Sequence, residues 1–291
     1  MIVKRSWLAA GFAAATLVAA APAANAQSVE RLSTSLTDTL QSAIDLLPEG
    51  VTNVRLGLGP GLYSEYEGSS RYSVHPVPVV SLRYKNLIEV DNNEIKLTAL
   101  SKIFQGGANM GGGNSLKFGP LVSINFGRDE SDSVDLRGMG NVSTSFELGG
   151  FVSYTLANTT RFRVRARQDV AGGHNGFTVQ LDAAQTFVKD GRFALSGFVS
   201  SMFASVNYMK SFFGVNGLQA ARSGLPFYHP GSGFKDVTIG TNGSYAFNAQ
   251  WSVVANASYE RLLGDAANSP LVAIRGDANQ FSISSFLVYT F

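Results

Sequence analysis

The chain has 291 residues, with 23 basic and 21 acidic side chains, 31 glycines, 20 phenylalanines, 10 tyrosines and no cysteine. This charge balance argues against a nucleic-acid partner, because such partners favour a basic excess. The lack of cysteine excludes disulfides and lipid attachment at a cysteine, so hydrogen bonding and packing must hold the fold.

The first 26 residues have the features of a secretory signal peptide. A Lys-Arg pair at 4–5 precedes an apolar run over 7–21, and the small residues of 24–26 fit a cleavage site. The apolar run is short for a membrane-spanning helix, which takes ~20 residues. We therefore expect export through a cleaved leader, with Gln27 as the first mature residue.

The segment 27–50 differs from the rest of the chain. Leu32, Leu36 and Leu40 fall near helical spacing, and Pro48 stops the run. The pattern predicts a short amphipathic helix or an N-terminal arm on the periplasmic side. The alternative is a poorly ordered leader to the first strand.

From residue 53 onward, apolar and polar residues alternate with a period of two, which indicates β-strands with one apolar face. In QFSISSFLVYTF at 280–291, Phe281, Ile283 and Leu287 share a face. The strands reach about ten residues, which suits tilted bilayer strands of ~9–11 residues better than soluble strands of ~5–6. Aromatic residues near the strand ends fit the girdles of a membrane barrel.

Eleven segments carry this pattern, and a short strand at 86–90 would bring the count to twelve. The eleven are 53–62, 72–84, 94–101, 115–128, 143–157, 160–171, 176–189, 192–205, 234–248, 251–264 and 278–291. Tight connections alternate with long ones, and bacterial single-chain barrels have even strand numbers. The sequence therefore predicts an all-β fold, a transmembrane antiparallel up-and-down β-barrel over 51–291 with twelve strands, or ten as the alternative.

The segment RFRVRAR at 161–167 places an arginine at every second position, so all four share one face of a strand. A lipid-facing arginine at mid-depth costs ~2–4 kcal/mol, so we expect the arginines to face the lumen. The predicted lumen charges are Arg161, Arg163, Arg165, Arg167, Glu147 and Asp182. Two roles remain open for them: a structural salt-bridge ladder, or a ladder that also selects anions in a channel.

The long connection over 206–233 is the richest candidate for a binding surface. It carries an arginine and several aromatic side chains, which suit recognition of a partner when exposed. The predicted contact residues are Phe212, Phe213, Arg222, Phe227 and Tyr228. The alternative is a plug folded into the barrel mouth.

The sequence offers no constellation for catalysis. The three histidines lack metal-site spacing, and the glycine-rich 106–115 lacks the Gly-Lys-Ser/Thr of a phosphate loop. The acidic run at 128–135 does not match an EF-hand, and no G-x-S-x-G elbow occurs. We expect no enzyme activity, no metal site and no cofactor.

Several blocks together resemble the MipA/OmpV family of outer-membrane proteins. They are LGLGPGLYSEYEGSSRYSVHPVPVVSLRYKN at 56–86, LRGMGNVSTSFELGGFVSY at 136–154, FFGVNGLQAARSGLPFYHPGSGFKDV at 212–237 and YERLLGDAANSPLVAIRGDANQFSISSFLVYTF at 259–291. The segment SKIFQGGANMGGGNSLKF at 101–118 does not resemble a block of the family.

The resemblance implies a barrel in the outer membrane, surrounded by lipid and lipopolysaccharide. It implies a scaffold that links a murein-degrading lytic transglycosylase to a murein-polymerising penicillin-binding protein. We expect the arm at 27–50 to contact these enzymes, because it lies on the periplasmic side. Other members are described as adhesins or as osmotically regulated or antibiotic-linked proteins. The terminal Phe291 resembles the signal read by the barrel assembly machinery. The alternatives are a solute or anion pore with an arginine-lined lumen, and an adhesin acting through the 206–233 loop.

Overall fold

The computed structural model describes residues 52–85, 87–99 and 112–291. The predicted signal peptide and N-terminal arm lie outside the described residues, as does part of the glycine-rich stretch at 106–115. Among the described residues, no helix is long and apolar enough to cross a membrane.

One antiparallel sheet contains all the strands of the described ranges. They are β1 (Thr52–Ser64), β2 (Tyr72–Tyr84), β3 (Ile88–Asp91), β4 (Glu94–Leu97), β5 (Ser115–Asn125), β6 (Ser145–Leu156), β7 (Thr160–Asp169), β8 (Phe177–Asp190), β9 (Phe193–Ala204), β10 (Gly233–Phe234), β11 (Asp236–Ala246), β12 (Trp251–Leu262) and β13 (Asn279–Thr290). Each strand pairs with its chain neighbour, except that β9 pairs with both β10 and β11.

The sheet closes into a barrel because β1 pairs with β13, the last strand. The two-residue β10 lies beside the end of β9, so the barrel wall itself has twelve strands. This count confirms the twelve-strand prediction, and β3 is the short strand that the prediction required near 86–90. The strand predicted over 94–101 is shorter than expected, because β4 ends at Leu97.

Tight turns such as 157–159 and 191–192 lie at one end of the barrel, which we call the inner end, and the long connections over 126–144, 205–232 and 263–278 lie at the other, the outer end. The exception is the long connection from β4 to β5, because β4 ends and β5 begins at the inner end. The outer connections contain α1 (Val206–Phe213), α2 (Gly217–Ser223), α3 (Gly264–Ala267) and α4 (Pro270–Ala273), together with two 3-10 turns at 130–132 and 134–136. The connection over 206–233, predicted as a loop, therefore contains two helices. In α1, Tyr208, Met209 and Phe212 recur at helical spacing and are buried together.

Along β7, apolar side chains that face outward alternate with arginines that face the lumen. Phe162 is 50% exposed on the outside, whereas Arg165 is fully buried on the inside. Apolar side chains of the other strands, such as Leu148, Ile239 and Ile283, are exposed on the same outer surface. This surface is the apolar belt that a barrel presents to hydrocarbon.

The lumen is filled from two sides by different chemistry. An apolar wall on β1, β2, β12 and β13 consists of Tyr63, Val77, Val79, Val254, Phe286 and Val288, which pack as one cluster. A charged wall on β3 to β8 consists of Asp91, Glu94, Lys96, Glu147, Arg163, Arg165, Arg167 and Asp182. The two walls meet where β2 pairs with β3, and the inner ends of β1 and β2 also carry the buried Arg55 and Arg83.

The outer half of β2 has an unusual edge. Strand β3 pairs with the inner segment of β2, Ser81–Tyr84. Just beyond this segment, the N–H of Val80 donates a hydrogen bond to Asn92 Oδ1 at 2.8 Å. Backbone N–H groups at even positions of β2 therefore point towards the β3 side. Two of these positions, Pro76 and Pro78, carry prolines and have no N–H to offer.

Candidate functional site

Three of the four arginines of β7 enter the lumen and meet carboxylates there. Arg163 Nε lies 3.0 Å from Asp182 Oδ2, and Arg165 Nη2 lies 3.1 Å from the same oxygen. Arg161, nearest the inner end, is only half-buried. One carboxylate on the neighbouring strand β8 thus joins two arginines of β7.

A second carboxylate of the ladder comes from β4, a strand that is not adjacent to β7. Arg167 Nε donates to Glu94 Oε2 at 3.0 Å, and Arg165 Nη1 lies 3.6 Å from Glu94 Oε1. Lys96 contacts Glu94 at 3.5 Å and Asp91 at 3.0 Å. Glu94 therefore gathers three cations at the centre of the charged wall.

Sequence reasoning missed Glu94, Lys96 and Asp91. The signal was present in VDNNEIKL at 90–97, where charged residues alternate with apolar ones on either side of an Asn-Asn turn. That pattern predicts a hairpin whose charges share the inner face of the wall. Its partner strand could not be read off, because contacts across a lumen depend on strand tilt.

Glu147 has partners besides the arginine row. It lines the same small cavity as Arg167, its carboxylate accepts from Ser123 Oγ at 2.7 Å, and it lies 3.0 Å from His174 Nε2. The N–H of Gly176 donates to His174 Nδ1 at 3.0 Å, so Nε2 is the nitrogen that donates to Glu147. The pair extends the charged wall to the outer end.

His174 joins the charged wall to α1. Its ring lies 5.0 Å from the Tyr208 ring in an edge-on arrangement and 6.0 Å from the Phe212 ring. The Arg128 guanidinium, also buried, donates to the Phe212 carbonyl at 2.7 Å. Helix α1 is therefore packed onto the barrel mouth by both apolar and polar contacts.

The predicted binding residues of the 206–233 connection separate into two groups. Phe212 and Phe213 were proposed as contact residues, but both are buried in the cluster around α1, as the alternative of a plug in the barrel mouth would require. Arg222 is exposed, Phe227 is 65% exposed, and Tyr228 is half-buried with its hydroxyl donating to the Asp265 carbonyl at 2.9 Å. Burial follows from helix formation, which puts the two adjacent phenylalanines against the barrel.

A buried lysine near the outer end is surrounded by carboxylates. Lys235 Nζ contacts Asp236 Oδ2 at 2.5 Å and a Glu67 oxygen, and Glu67, Asp236 and Glu260 bring oxygens within 4.8 Å of one another. Burial lowers the pKa of Lys235, but the carboxylates of Asp236 and Glu67 outweigh it and hold the pKa well above its usual value. The ammonium group thus supplies the positive charge that these carboxylates require.

Phe291 ends the last strand on the outer surface of the wall. Its side chain is exposed, its ring stacks edge-on with Tyr289 at 4.7 Å, and its N–H donates to the Val54 carbonyl at 3.0 Å. The residue predicted as an assembly signal therefore lies beside the first strand, where the barrel closes.

Known proteins resemble this chain in both sequence and fold. The outer membrane protein Omp26La of Vibrio anguillarum is 25% identical over 168 residues, which cover 58% of this chain and 62% of the relative. OmpV of Vibrio cholerae is 24% identical over 163 residues, covering 56% and 61%. The matches thus span about three fifths of these relatives.

Two solved barrels are more distant in sequence. An outer membrane channel from Pseudomonas putida F1 is 11% identical with a TM-score of 0.42, covering 84% of this chain and 97% of the channel. OmpT of Vibrio cholerae is 8% identical with a TM-score of 0.39, covering 84% and 99%.

The family comparison covers nearly the whole described barrel. The family model for the MltA-interacting protein MipA matches residues 56–291, and the curated relatives are outer membrane proteins. The chain therefore belongs to the MipA family and is a β-barrel protein of the outer membrane.

Proposed function

We propose that this chain is an occluded outer-membrane barrel that anchors murein-remodelling enzymes, with a lytic transglycosylase and a penicillin-binding protein as its partners. The observation that carries the proposal is the filled lumen. Arg165 and Asn242 are fully buried, and Lys96 and Glu94 are 1% exposed. Side chains this well covered leave solute little room to pass, so binding is the better-supported role.

The outer end supports the same proposal. Helix α1 packs onto the mouth, and Ser269 Oγ donates to the Phe213 carbonyl at 2.6 Å, which ties α1 to the connection that carries α4. The surfaces left for partners are therefore the two rims. The family description names an interaction with MltA, which fits a protein that works by contact.

The inner end is the side on which murein enzymes would meet the barrel. Tight turns such as 157–159 and 191–192 form this rim, and both chain termini of the barrel lie there. The segment 27–50 leads into β1 at this end. We infer that the arm and the inner rim together form the contact surface.

A binding measurement with purified proteins tests the proposal directly. The mature protein in detergent is mixed with a purified lytic transglycosylase and, separately, with a penicillin-binding protein, and binding is measured by surface plasmon resonance. We expect binding that is lost when 27–50 is deleted and kept in Lys210→Gln, a matched change at the outer end. Lack of binding to both enzyme classes would refute the scaffold.

An anion pore is the second candidate, since it is favoured by the arginine row in the lumen. Its arginines contact Asp182 and Glu94, however, which cancels much of the field that an anion would feel. Planar-bilayer recording separates the two proposals. We expect no steady conductance, whereas conductance steps that change in Arg163→Ala would support the pore.

A further inference from the structure

A cleft at the outer end is separate from the lumen and from the inner rim. It lies between the connection over 126–144, the turn over 170–176 and the segment from α1 to β10, and its volume is about 360 Å³. Small-molecule sites typically span roughly 300–1,000 Å³. Buried Met139, Val142 and Val215 line its base.

Side chains with free functional groups surround the opening. Lys210, at the last turn of α1, and His229 are exposed, and the Phe227 ring is 65% exposed beside them. The residues that line the cleft, all within the described chain, include neither Asp nor Glu. The cleft thus offers one permanent cation, an imidazole and an accessible aromatic face.

The two carboxylates closest in sequence to the cleft lining, Asp135 and Asp169, are already engaged elsewhere. Asp135 Oδ2 accepts from Arg71 Nε at 2.9 Å, and Asp169 Oδ2 accepts the N–H groups of His174 and Asn175 at 2.8 and 2.7 Å. These hydrogen bonds satisfy oxygens that would otherwise compete for Lys210. An acidic ligand would therefore meet little competition from the protein.

The frame of the cleft is rigid. Val215 and Tyr228 exchange two backbone hydrogen bonds of 2.9 Å each, and Gln219 Nε2 donates to the Met139 carbonyl at 2.6 Å. The Asn216 side chain caps α2 by accepting the N–H of Gln219. A site formed before the ligand arrives loses less free energy to ordering on binding.

We propose that this cleft binds an acidic saccharide. A sugar ring has an apolar C–H face and a polar edge, which match the Phe227 ring and the His229 imidazole beside it. Its carboxylate or phosphate would be held by Lys210 through a charge-assisted hydrogen bond. Two sources provide this chemistry at the cell surface: the phosphorylated core of lipopolysaccharide and a soluble uronic-acid saccharide.

Calorimetric titration of the mature protein in detergent tests the proposal. One arm uses a glucuronic-acid disaccharide with neutral maltose as its control, and the other uses rough lipopolysaccharide before and after chemical dephosphorylation. We expect binding in at least one arm and none to the uncharged control of that arm. Binding to the disaccharide identifies a soluble ligand, and binding to lipopolysaccharide alone identifies the membrane's own sugar.

Variants assign the binding to the cleft. Lys210→Gln should weaken it about tenfold, the loss expected for one charge-assisted hydrogen bond, and Phe227→Ala should weaken it by a similar factor. The matched controls are Lys189→Gln, an exposed lysine at the inner end, and Leu218→Ala, an exposed apolar residue of α2. The proposal fails if neither arm shows binding, if the neutral sugars bind equally, or if the controls weaken binding as much as the cleft variants.

Discussion

The two walls of the lumen fill the same space with opposite chemistry. In the apolar wall, Val254, Phe286 and Val288 fill space by shape alone, so each can be replaced by a residue of similar volume. In the charged wall, Glu94 satisfies three cations at once, and removing it leaves all three without their shared anion. A barrel lumen can thus be filled by apolar packing, which tolerates substitutions of similar volume, or by ion pairs, which do not tolerate the loss of a partner.

The largest expected effect is in the charged wall. Glu94→Gln removes the anion between Arg165, Arg167 and Lys96, and breaking a buried ion pair in this way costs about 3–5 kcal/mol. The measurement is urea unfolding of the mature protein in lipid vesicles, followed by Trp251 fluorescence. Asp190→Asn, at an exposed inner turn, is the control and should leave the midpoint unchanged. Equal midpoints for both variants would show that Glu94 does not stabilise the charged wall.

The apolar wall should respond by volume and not by charge. Phe286→Ala leaves a cavity and is expected to destabilise the barrel by about 3 kcal/mol, with no dependence on salt. The same unfolding assay, at low and high salt, measures both. Phe281→Ala, on the lipid-facing side of the same strand, is the matched control and should lose less. A salt-dependent loss in Phe286→Ala would contradict the distinction between the walls.

A double-mutant cycle sharpens the comparison at a single ion pair. Arg163→Met and Asp182→Leu, alone and together, should show a coupling free energy of about 2 kcal/mol, because each single change leaves a buried charge behind. Val79→Ala with Phe286→Leu gives the equivalent cycle in the apolar wall. If the coupling free energy in the charged wall is no larger than that in the apolar wall, the idea that ion pairing determines the stability of the charged wall is refuted.

The smallest expected effect lies outside both walls, at Glu130. Hydrogen bonds from the N–H groups of Gly138 and Gly140, both at positive φ, hold the pKa of this half-buried carboxylate below its usual value. A lowered pKa means that the stabilisation is complete above the unfolded pKa and is lost as pH falls through the folded one. The protection of the Gly138 and Gly140 amides against hydrogen exchange should therefore fall in acid. Protection here is the intrinsic exchange rate of an unprotected amide divided by the measured rate at the same pH. Glu130→Gln should exchange quickly at all pH values.

The sequence predicted much of this molecule because a bilayer enforces a strict alternation. The twelve strands, their direction and the inward face of Arg163, Arg165 and Arg167 all follow from the cost of exposing charge to lipid. The prediction failed where contacts depend on strand tilt. Glu94 and Arg167 are 73 residues apart and on strands that do not pair, and no local pattern links them.

Two further features were missed for other reasons. The apolar wall shares its residue types with the lipid-facing surface, so residue type alone does not separate Phe286 and Val288 from the outer belt. Phe212 and Phe213 were proposed as contact residues because the connection was interpreted as a loop. The helical spacing from Tyr208 to Phe213 was present, and it predicts a buried face once a helix is considered.

The prolines on the outer half of β2 bear on how the chain reaches the membrane. An exported barrel protein crosses an aqueous compartment before it closes, and unpaired strand edges in that state invite pairing between chains. At Pro76 and Pro78 the edge that faces β3 lacks two donors, so a foreign strand could not form a complete ladder there. The finished barrel needs little from this edge, since β3 covers only its inner segment. We therefore expect the two prolines to hinder pairing between exported chains before the barrel closes.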